Sequence, residues 1–153
     1  MVIQELKERP EINENQKLRT AYAQFDRLLT ELRTRELPKE IIKMINDQIA
    51  QLNSFSGLDQ ELKARLRKAQ TTILKLLEKE LKIVMKGHYR TTWLALGMTV
   101  FGLPLGIVFG ASIGNMAFLG TGLPIGMAIG IAVGTAMDKK AFEEGRQIDL
   151  DVK

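Results

Sequence analysis

The chain contains no cysteine, which excludes disulfide bonds, iron–sulfur clusters and thiolate zinc sites. A single histidine, His88, excludes a metal site built from several histidines of one chain. The sequence also lacks a phosphate-binding glycine loop that follows a strand, and its carboxylates are scattered over charged stretches. We therefore expect no enzymatic activity, no cofactor and no bound metal.

Charged residues are missing from one long stretch. Residues 91–137 carry none, although the whole chain is 26% charged. Residues 1–90 have 18 Lys and Arg against 13 Asp and Glu, whereas residues 138–153 have 4 against 5. This segregation predicts three regions: a cytoplasmic helical domain (1–90), a transmembrane segment (91–137) and a short polar cytoplasmic tail (138–153).

The first 90 residues are typical of helices that pack against one another. Apolar residues recur at spacings of three and four near residues 13–36, 38–54 and 60–85, with breaks at Pro38 and Gly57. Asn13 with Gln16 resembles a capping box at the start of the first helix. The short connections favour a coiled-coil-like bundle of about three helices, and no strand-like alternation is present, so the fold class is all-α. Either the bundle covers all of its apolar stripes, or one stripe stays open for self-association or a protein partner.

The uncharged stretch is long enough for two membrane crossings. One crossing needs about 20 helical residues, and backbone groups in lipid must be satisfied within the helix. The most polar side chain of the stretch, Asn115, follows Gly114 and predicts a tight turn there. We therefore predict a two-helix transmembrane hairpin with helices near residues 92–114 and 116–137, whose first crossing itself directs insertion.

Basic and aromatic residues flank this hairpin and predict its orientation. Tyr89, Arg90 and Trp93 lie at its start and Lys139 and Lys140 at its end, where the membrane interface is expected. The connecting turn has no Lys or Arg, so the positive-inside rule places both termini in the cytoplasm.

An internal repeat is the most specific feature of the chain. Residues 102–114 read GLPLGIVFGASIG and residues 122–134 read GLPIGMAIGIAVG. Association of helices in lipid depends on close backbone approach, which very small side chains allow. The spacing of four therefore predicts helix packing through eight glycines: Gly102, Gly106, Gly110, Gly114, Gly122, Gly126, Gly130 and Gly134.

Two prolines occupy the same place in each repeat. Pro104 and Pro124 would each remove one helical hydrogen bond and free the carbonyl four residues earlier. We interpret them as helix kinks near the middle of the membrane. The alternative is a discontinuous helix whose freed carbonyls line a water-filled path.

The tandem GxxxGxxxGxxxG blocks and the exit at residues 134–140, Gly-Thr-Ala-Met-Asp-Lys-Lys, resemble the glycine-zipper segments of small bacterial membrane proteins without an assigned activity. The resemblance covers about residues 97–140 and implies self-association in a bacterial inner membrane. The N-terminal region is not part of it.

Two functions stay open at the level of sequence. The first is an oligomerising membrane scaffold or adaptor that self-associates through its glycine faces and anchors a cytoplasmic helical domain for a protein partner. The alternative is a small oligomeric channel or pore-forming effector, which a polar stripe along one helix would favour. We expect the lipid bilayer as a partner and no nucleic acid, because the basic residues are mixed with acidic ones.

Overall fold

A computed structural model describes residues 2–9, 12 and 15–150 of the chain. Within this part the regular secondary structure is helical apart from one two-stranded ladder, β1 with β2. Strands of two residues are too short to leave an alternating pattern, which explains why the sequence did not predict them. The elements run in the order α1 (Gln16–Arg33), α2 (Lys39–Asn53), α3 (Asp59–Leu81), β1 (Val84–Met85), α4 (His88–Leu96), a π-helical segment (Gly97–Gly102), α5 (Leu103–Ile113), a 3-10 segment (Met116–Thr121), α6 (Gly122–Glu143) and β2 (Gln147–Ile148).

The chain divides into two compact units, residues 1–83 with 148–153 (the N-terminal unit) and residues 84–147 (the hairpin unit). The first division lies earlier than the predicted boundary at residue 90, because α3 ends at Leu81 rather than continuing to Met85. Lys82 takes the left-handed conformation (φ 55°), and its N–H bonds to carbonyls of the last turn, which closes the helix.

The ends of the first helices follow local chemistry. The Asn15 side chain accepts a hydrogen bond from the Leu18 N–H at 3.3 Å and caps α1. The predicted cap Asn13 lies outside the described residues. Pro38 immediately precedes α2, as expected for a residue that cannot continue the preceding helix.

The N-terminal unit has a core of large aliphatic and aromatic side chains. Both α1 and α2 pack against α3, and the apolar stripes predicted from the sequence form the buried faces. The core also takes up apolar residues from outside the helices, namely Ile3, Leu6, Ile12, Ile83, Ile148 and Leu150.

The predicted polar tail is therefore partly structured. The helix α6 continues to Glu143, and Ala141 is fully buried. Ile148 and Leu150 lie in the core of the N-terminal unit. Three apolar residues separated by charges leave no recognisable period, so composition alone suggested a short polar tail.

The hairpin unit contains two long apolar helices. The first hairpin helix spans His88–Ile113 and the second spans Met116–Glu143, and both are long and apolar enough to cross a membrane. Only 22% and 17% of their most apolar windows are buried within the chain. The core helix of a soluble protein would be mostly buried, whereas most of each window is exposed here.

Candidate functional site

The two hairpin helices are antiparallel and meet through glycine. A Cβ atom added to Gly126 would lie 2.6 Å from the Gly102 nitrogen, and one added to Gly130 would lie 2.8 Å from the Trp93 carbonyl carbon. These are backbone atoms, which cannot move aside as a flexible side chain can. Every glycine of the second repeat is buried in this way: Gly122, Gly126, Gly130 and Gly134.

The first hairpin helix contributes its own glycines to the same contact. A Cβ atom on Gly102 would lie 3.2 Å from the Gly122 oxygen, and one on Gly106 would lie 3.1 Å from the Leu119 carbonyl carbon. Gly110 is buried beside the Met116 sulfur, at 3.3 Å from its added Cβ atom. The contact therefore changes toward the turn from backbone against backbone to backbone against a flexible side chain.

Sequence analysis missed one glycine of this interface. A Cβ atom on Gly97 would lie 2.9 Å from the Gly130 Cα atom. Gly97 precedes Gly102 by five residues, and five residues of an α-helix rotate by about 500°, which is about 140° more than one turn. The π-helical segment absorbs the additional residue, and the Leu103 N–H bonds to the Met98 carbonyl five positions earlier. In the sequence, the five-residue spacing between Gly97 and Gly102 was the signal that could have indicated this contact.

The structure places Gly114 outside the glycine contact, which corrects the packing role expected for it. Gly114 ends α5 in the left-handed conformation (φ 69°), and nothing lies within 4 Å of an added Cβ atom. Asn115 follows it and caps the 3-10 segment, its side chain accepting from the Ala117 N–H at 2.9 Å. Gly114 is thus a turn residue. It matches the four-residue spacing of the other glycines in the sequence, but it takes no part in the helix contact.

The two prolines mark changes of helix type. Pro104 lies in the first turn of α5, directly after the π-helical segment. Pro124 lies in the first turn of α6, directly after the 3-10 segment. First-turn N–H groups have no partner within their own α-helix, so proline costs little there. This differs from the expected kinks within continuous helices.

A carboxylate joins the two helices at the end of the hairpin opposite the turn. Asp138 of α6 accepts hydrogen bonds from the Tyr89 N–H at 3.1 Å and the Arg90 N–H at 3.0 Å. These N–H groups belong to the first turn of α4, whose own cap residue, Gly87, offers no side chain. A negative charge at this position also interacts favourably with the helix dipole. Sequence analysis quoted Asp138 only as part of the helix exit.

The predicted interface residues lie around this joint. Tyr89 and Arg90 supply the capped N–H groups and the surface against Gly134, and the Trp93 backbone faces Gly130. Lys139 and Lys140 are exposed and pair with the next turn of α6, Lys139 with Glu143 at 3.8 Å and Lys140 with Glu144 at 3.9 Å. Such exposed pairs contribute little to stability.

Glu144 has a second and closer partner. The Arg146 guanidinium Nε donates to its carboxylate at 2.7 Å, and this hydrogen bond lowers the pKa of Glu144 from its usual value. Both groups are at the exposed surface next to β2.

The outer surface of the hairpin is apolar. Its large side chains point away from the glycine contact, and many of them are exposed. The exposed fraction is 55% for Val100 and 54% for Ile107. Two of its hydroxyl groups donate to carbonyls of their own helical segments, Thr99 to Ala95 at 3.1 Å and Thr121 to Phe118 at 2.6 Å. Over the described residues, no group of three or more His, Asp or Glu could hold a metal ion.

Comparisons with known proteins found no protein family, no curated protein and no solved structure that matches this chain. Its function is therefore inferred from the geometry of the two units.

Proposed function

We propose that the protein is a membrane-anchored adaptor. Its hairpin unit inserts into a lipid bilayer as a two-span anchor, and its N-terminal helices form a cytoplasmic bundle that binds a protein partner. The observation that supports this proposal is the reversed burial of the hairpin, which covers its glycines and exposes its large apolar side chains.

The physical reason is the choice of solvent. Exposed apolar surface costs about 25 cal/mol per Å² in water, and this cost disappears in hydrocarbon. In lipid the helices gain from close van der Waals contact rather than from hydrophobic burial, which favours small residues between them. The hairpin has both features that hydrocarbon favours, namely large apolar side chains on its outside and small residues between its helices.

The orientation proposed is the one that the flanking charges favour. Lys82 and Lys86 precede the first hairpin helix, Lys139 and Lys140 lie near the end of the second, and the turn at Gly114 carries no charge. Cytoplasmic placement of both ends follows the positive-inside rule, and each basic residue near anionic headgroups adds about 1 kcal/mol of attraction.

Self-association through the glycine faces and a bacterial inner membrane stay predictions, resting on the repeat and its resemblance to glycine-zipper proteins. The contacts of the hairpin favour an anchor that closes on itself. Because backbone atoms of the first helix already cover Gly126 and Gly130, these glycines leave no room for a helix of a second copy. Any oligomer would then form through the outer surface or through the N-terminal helices.

The channel alternative gains no support from the polar groups of the hairpin. Thr99 and Thr121 donate to carbonyls of their own helices, so these hydroxyl donors are already used within the chain. A pore would require a polar stripe, and the outer face is apolar instead.

Extraction of the protein from membranes tests the anchor. We expect the parent chain to resist alkaline carbonate and to dissolve in detergent. Val100→Arg, near the middle of the first hairpin helix, should weaken insertion by about 3 kcal/mol, because a charged residue is costly at the bilayer centre. Met44→Arg, at a position of similar exposure in α2, should leave the membrane fraction unchanged. Release of the parent chain by carbonate would reject the anchor.

Reporter fusions test the orientation. A cytoplasmic reporter should be active at both ends of the chain, and a reporter inserted at Asn115 should report the opposite side of the membrane. Opposite results for the two ends would rule out the hairpin topology.

A further inference from the structure

Residues Val2–Arg9, here called the strap, lie extended against α1 and α2 without regular secondary structure. The strap backbone bonds to side chains of the two helices rather than to their backbones. Extended peptides are recognised in this way when a protein reads main-chain groups and uses pockets for selected side chains.

Two asparagines of α2 hold the strap from one side. Asn46 accepts from the Gln4 N–H at 2.8 Å and donates to the Val2 carbonyl at 3.0 Å. Asn53 repeats this arrangement three strap residues further on. It accepts from the Lys7 N–H at 2.8 Å and donates to the Glu5 carbonyl at 3.0 Å.

The spacing of the two asparagines matches the strap. Asn46 and Asn53 are seven residues apart, which is two turns and about 10.5 Å along a helix. Three residues of an extended peptide span about 9–10 Å. Each asparagine therefore meets an equivalent pair of peptide groups. The spacing of the asparagines on the helix matches an extended chain that runs in the same direction.

Side chains of α1 hold the strap from the other side. Arg33 donates through Nη2 to the Gln4 carbonyl at 2.9 Å and through Nε to the Ile3 carbonyl at 3.4 Å. The Tyr22 hydroxyl donates to the Lys7 carbonyl. All these hydrogen bonds, like those of the asparagines, go to the backbone of the strap.

The strap inserts few side chains. Ile3 and Leu6 are buried in the core of the N-terminal unit, whereas Gln4, Glu5 and Lys7 are exposed. The buried residues are three apart, as in a peptide with three residues per turn. The contacts thus require an extended backbone, two aliphatic side chains and a basic residue at the end of the strap, since Arg9 donates through Nη2 to the Leu52 carbonyl at 3.0 Å and to the Phe55 carbonyl at 2.6 Å.

We propose that the surface between α1 and α2 is a binding groove for an extended segment of a partner protein with aliphatic residues three positions apart, and that the strap is its built-in competitor. This inference rests on the proposed binding of a protein partner by the N-terminal helices, and it does not depend on the membrane anchor. The protein partner of the adaptor would displace the strap and take over its backbone hydrogen bonds.

Covalent attachment favours the strap over a free peptide. Attachment to the same chain gives the strap a high effective concentration at the groove, so a free peptide binds only to the fraction of molecules with an open groove. A partner peptide therefore binds strongly when the strap is weakened or when a second contact holds the partner close.

Peptide binding to the full chain in detergent tests the groove. The probe is a fluorescent peptide with the sequence of residues 2–9, and the control peptide carries Glu in place of its two aliphatic residues. Ile3→Glu with Leu6→Glu weakens the strap and should raise probe affinity about tenfold over the parent chain. Adding Asn46→Ala and Asn53→Ala should reverse this gain about tenfold or more, because four hydrogen bonds are lost.

Circular dichroism separates loss of binding from loss of folding. If the weakened-strap chain keeps the helix content of the parent and binds the probe no better than the control peptide, the proposal is wrong. Concentration-dependent dimers of this chain without probe binding would assign the groove to the strap of a second copy, and would also overturn it.

Hydrogen exchange on the parent chain provides the test if the weakened-strap chain does not fold. A displaceable strap opens without unfolding the helices, so the Gln4 and Lys7 amides should exchange at least about tenfold faster than amides in the middle of α1 and α3. Equal protection of all these amides would show that the strap is a fixed part of the fold and would overturn the proposal.

Discussion

The N-terminal unit and the hairpin unit both pack helices together, but they bury opposite kinds of side chain. The N-terminal unit buries large side chains such as Phe25, Ile45 and Leu66, and it leaves charges at the surface. The hairpin unit buries glycine and leaves Val100, Ile107 and other large apolar side chains outside. Burial of large apolar side chains is favourable in water, whereas hydrocarbon allows such side chains to stay outside. The residues that form a core therefore depend on the solvent and not on hydrophobicity alone.

The two units should also differ in the substitutions that their cores tolerate. In the N-terminal unit the expected damage is a cavity, because large side chains fill the interior. In the hairpin unit it is a clash, because backbone meets backbone. Matched substitutions in the two units should therefore have different effects.

Removal of a phenylalanine should give the largest difference. Phe25→Ala leaves a cavity at a position with 0% exposure and should cost about 3–5 kcal/mol of stability. Phe101→Ala, at a position of the π-helical segment with 41% exposure, should cost less than about 1 kcal/mol. Denaturant unfolding of the chain in detergent, followed by circular dichroism, measures both. Equal losses would contradict the reversed burial.

Enlargement of a glycine should act in the hairpin unit only where the helices touch. Gly126→Leu and Gly106→Leu push a side chain into backbone atoms and should cost about 1–3 kcal/mol or more. Gly120→Leu is the matched control, because nothing lies within 4 Å of its added Cβ atom. Thermal unfolding in detergent measures the loss.

Native mass spectrometry of the same variants separates hairpin packing from oligomer packing. We expect insertion and oligomer size to be unchanged while the hairpin loosens. A smaller assembly for Gly106→Leu or Gly126→Leu would favour self-association through the glycine faces. If both variants inserted with unchanged thermal stability, the glycine contact would be wrong.

Loss of the carboxylate cap should have a smaller effect. Asp138→Ala leaves the Tyr89 and Arg90 N–H groups without this acceptor and should destabilise the hairpin by about 1 kcal/mol, as for other helix caps. Glu143→Ala removes only an exposed pair with Lys139 and serves as the control. Faster amide exchange at the start of α4 in the first variant alone is the expected signature.

The smallest effect concerns pH and belongs to the N-terminal unit. Burial raises the pKa of Tyr22 from 10.0 to about 12. The folded state thus favours the neutral phenol, and this contribution is complete below pH 10 and is lost as pH rises toward 12. Because the hydroxyl donates to the Lys7 carbonyl, its ionisation should also loosen the strap.

Ultraviolet absorbance of tyrosinate tests this prediction. The chain has two tyrosines, so the difference between the parent and Tyr22→Phe isolates the titration of Tyr22. Tyr22→Phe should remove the steeper loss of stability above pH 10. A normal titration near pH 10 would contradict a shift caused by the partial burial of this side chain.

Local patterns determined much of the fold. The spacing of three and four and the uncharged stretch predicted an all-helical chain with two long apolar helices, and this is confirmed. Such predictions succeed because helix period and the length of an apolar stretch depend on residues close together in the chain. The break at Gly114 and Asn115 likewise follows from a glycine that takes a left-handed conformation.

Several features of the site could not be predicted, because they depend on residues far apart in sequence. Gly97 joins the glycine contact only because the π-helical segment changes the rotation of the helix. Asp138 caps a helix that begins far earlier in the chain, at His88. The spacing of five before Gly102 is visible in the sequence, but it indicates the contact of Gly97 only once the π-helical segment is known, and Asp138 has no sequence pattern of its own.

The sequence by itself determined where the long uncharged apolar stretch lies and which residues are small enough for close helix contact. Only the tertiary structure decided that the glycines of one hairpin helix meet those of the other, and that the strap lies between Asn46 and Arg33. The physical reason is range. Helix period and charge content act between neighbours, whereas a contact surface and a backbone hydrogen bond to a distant side chain exist only after the chain has folded.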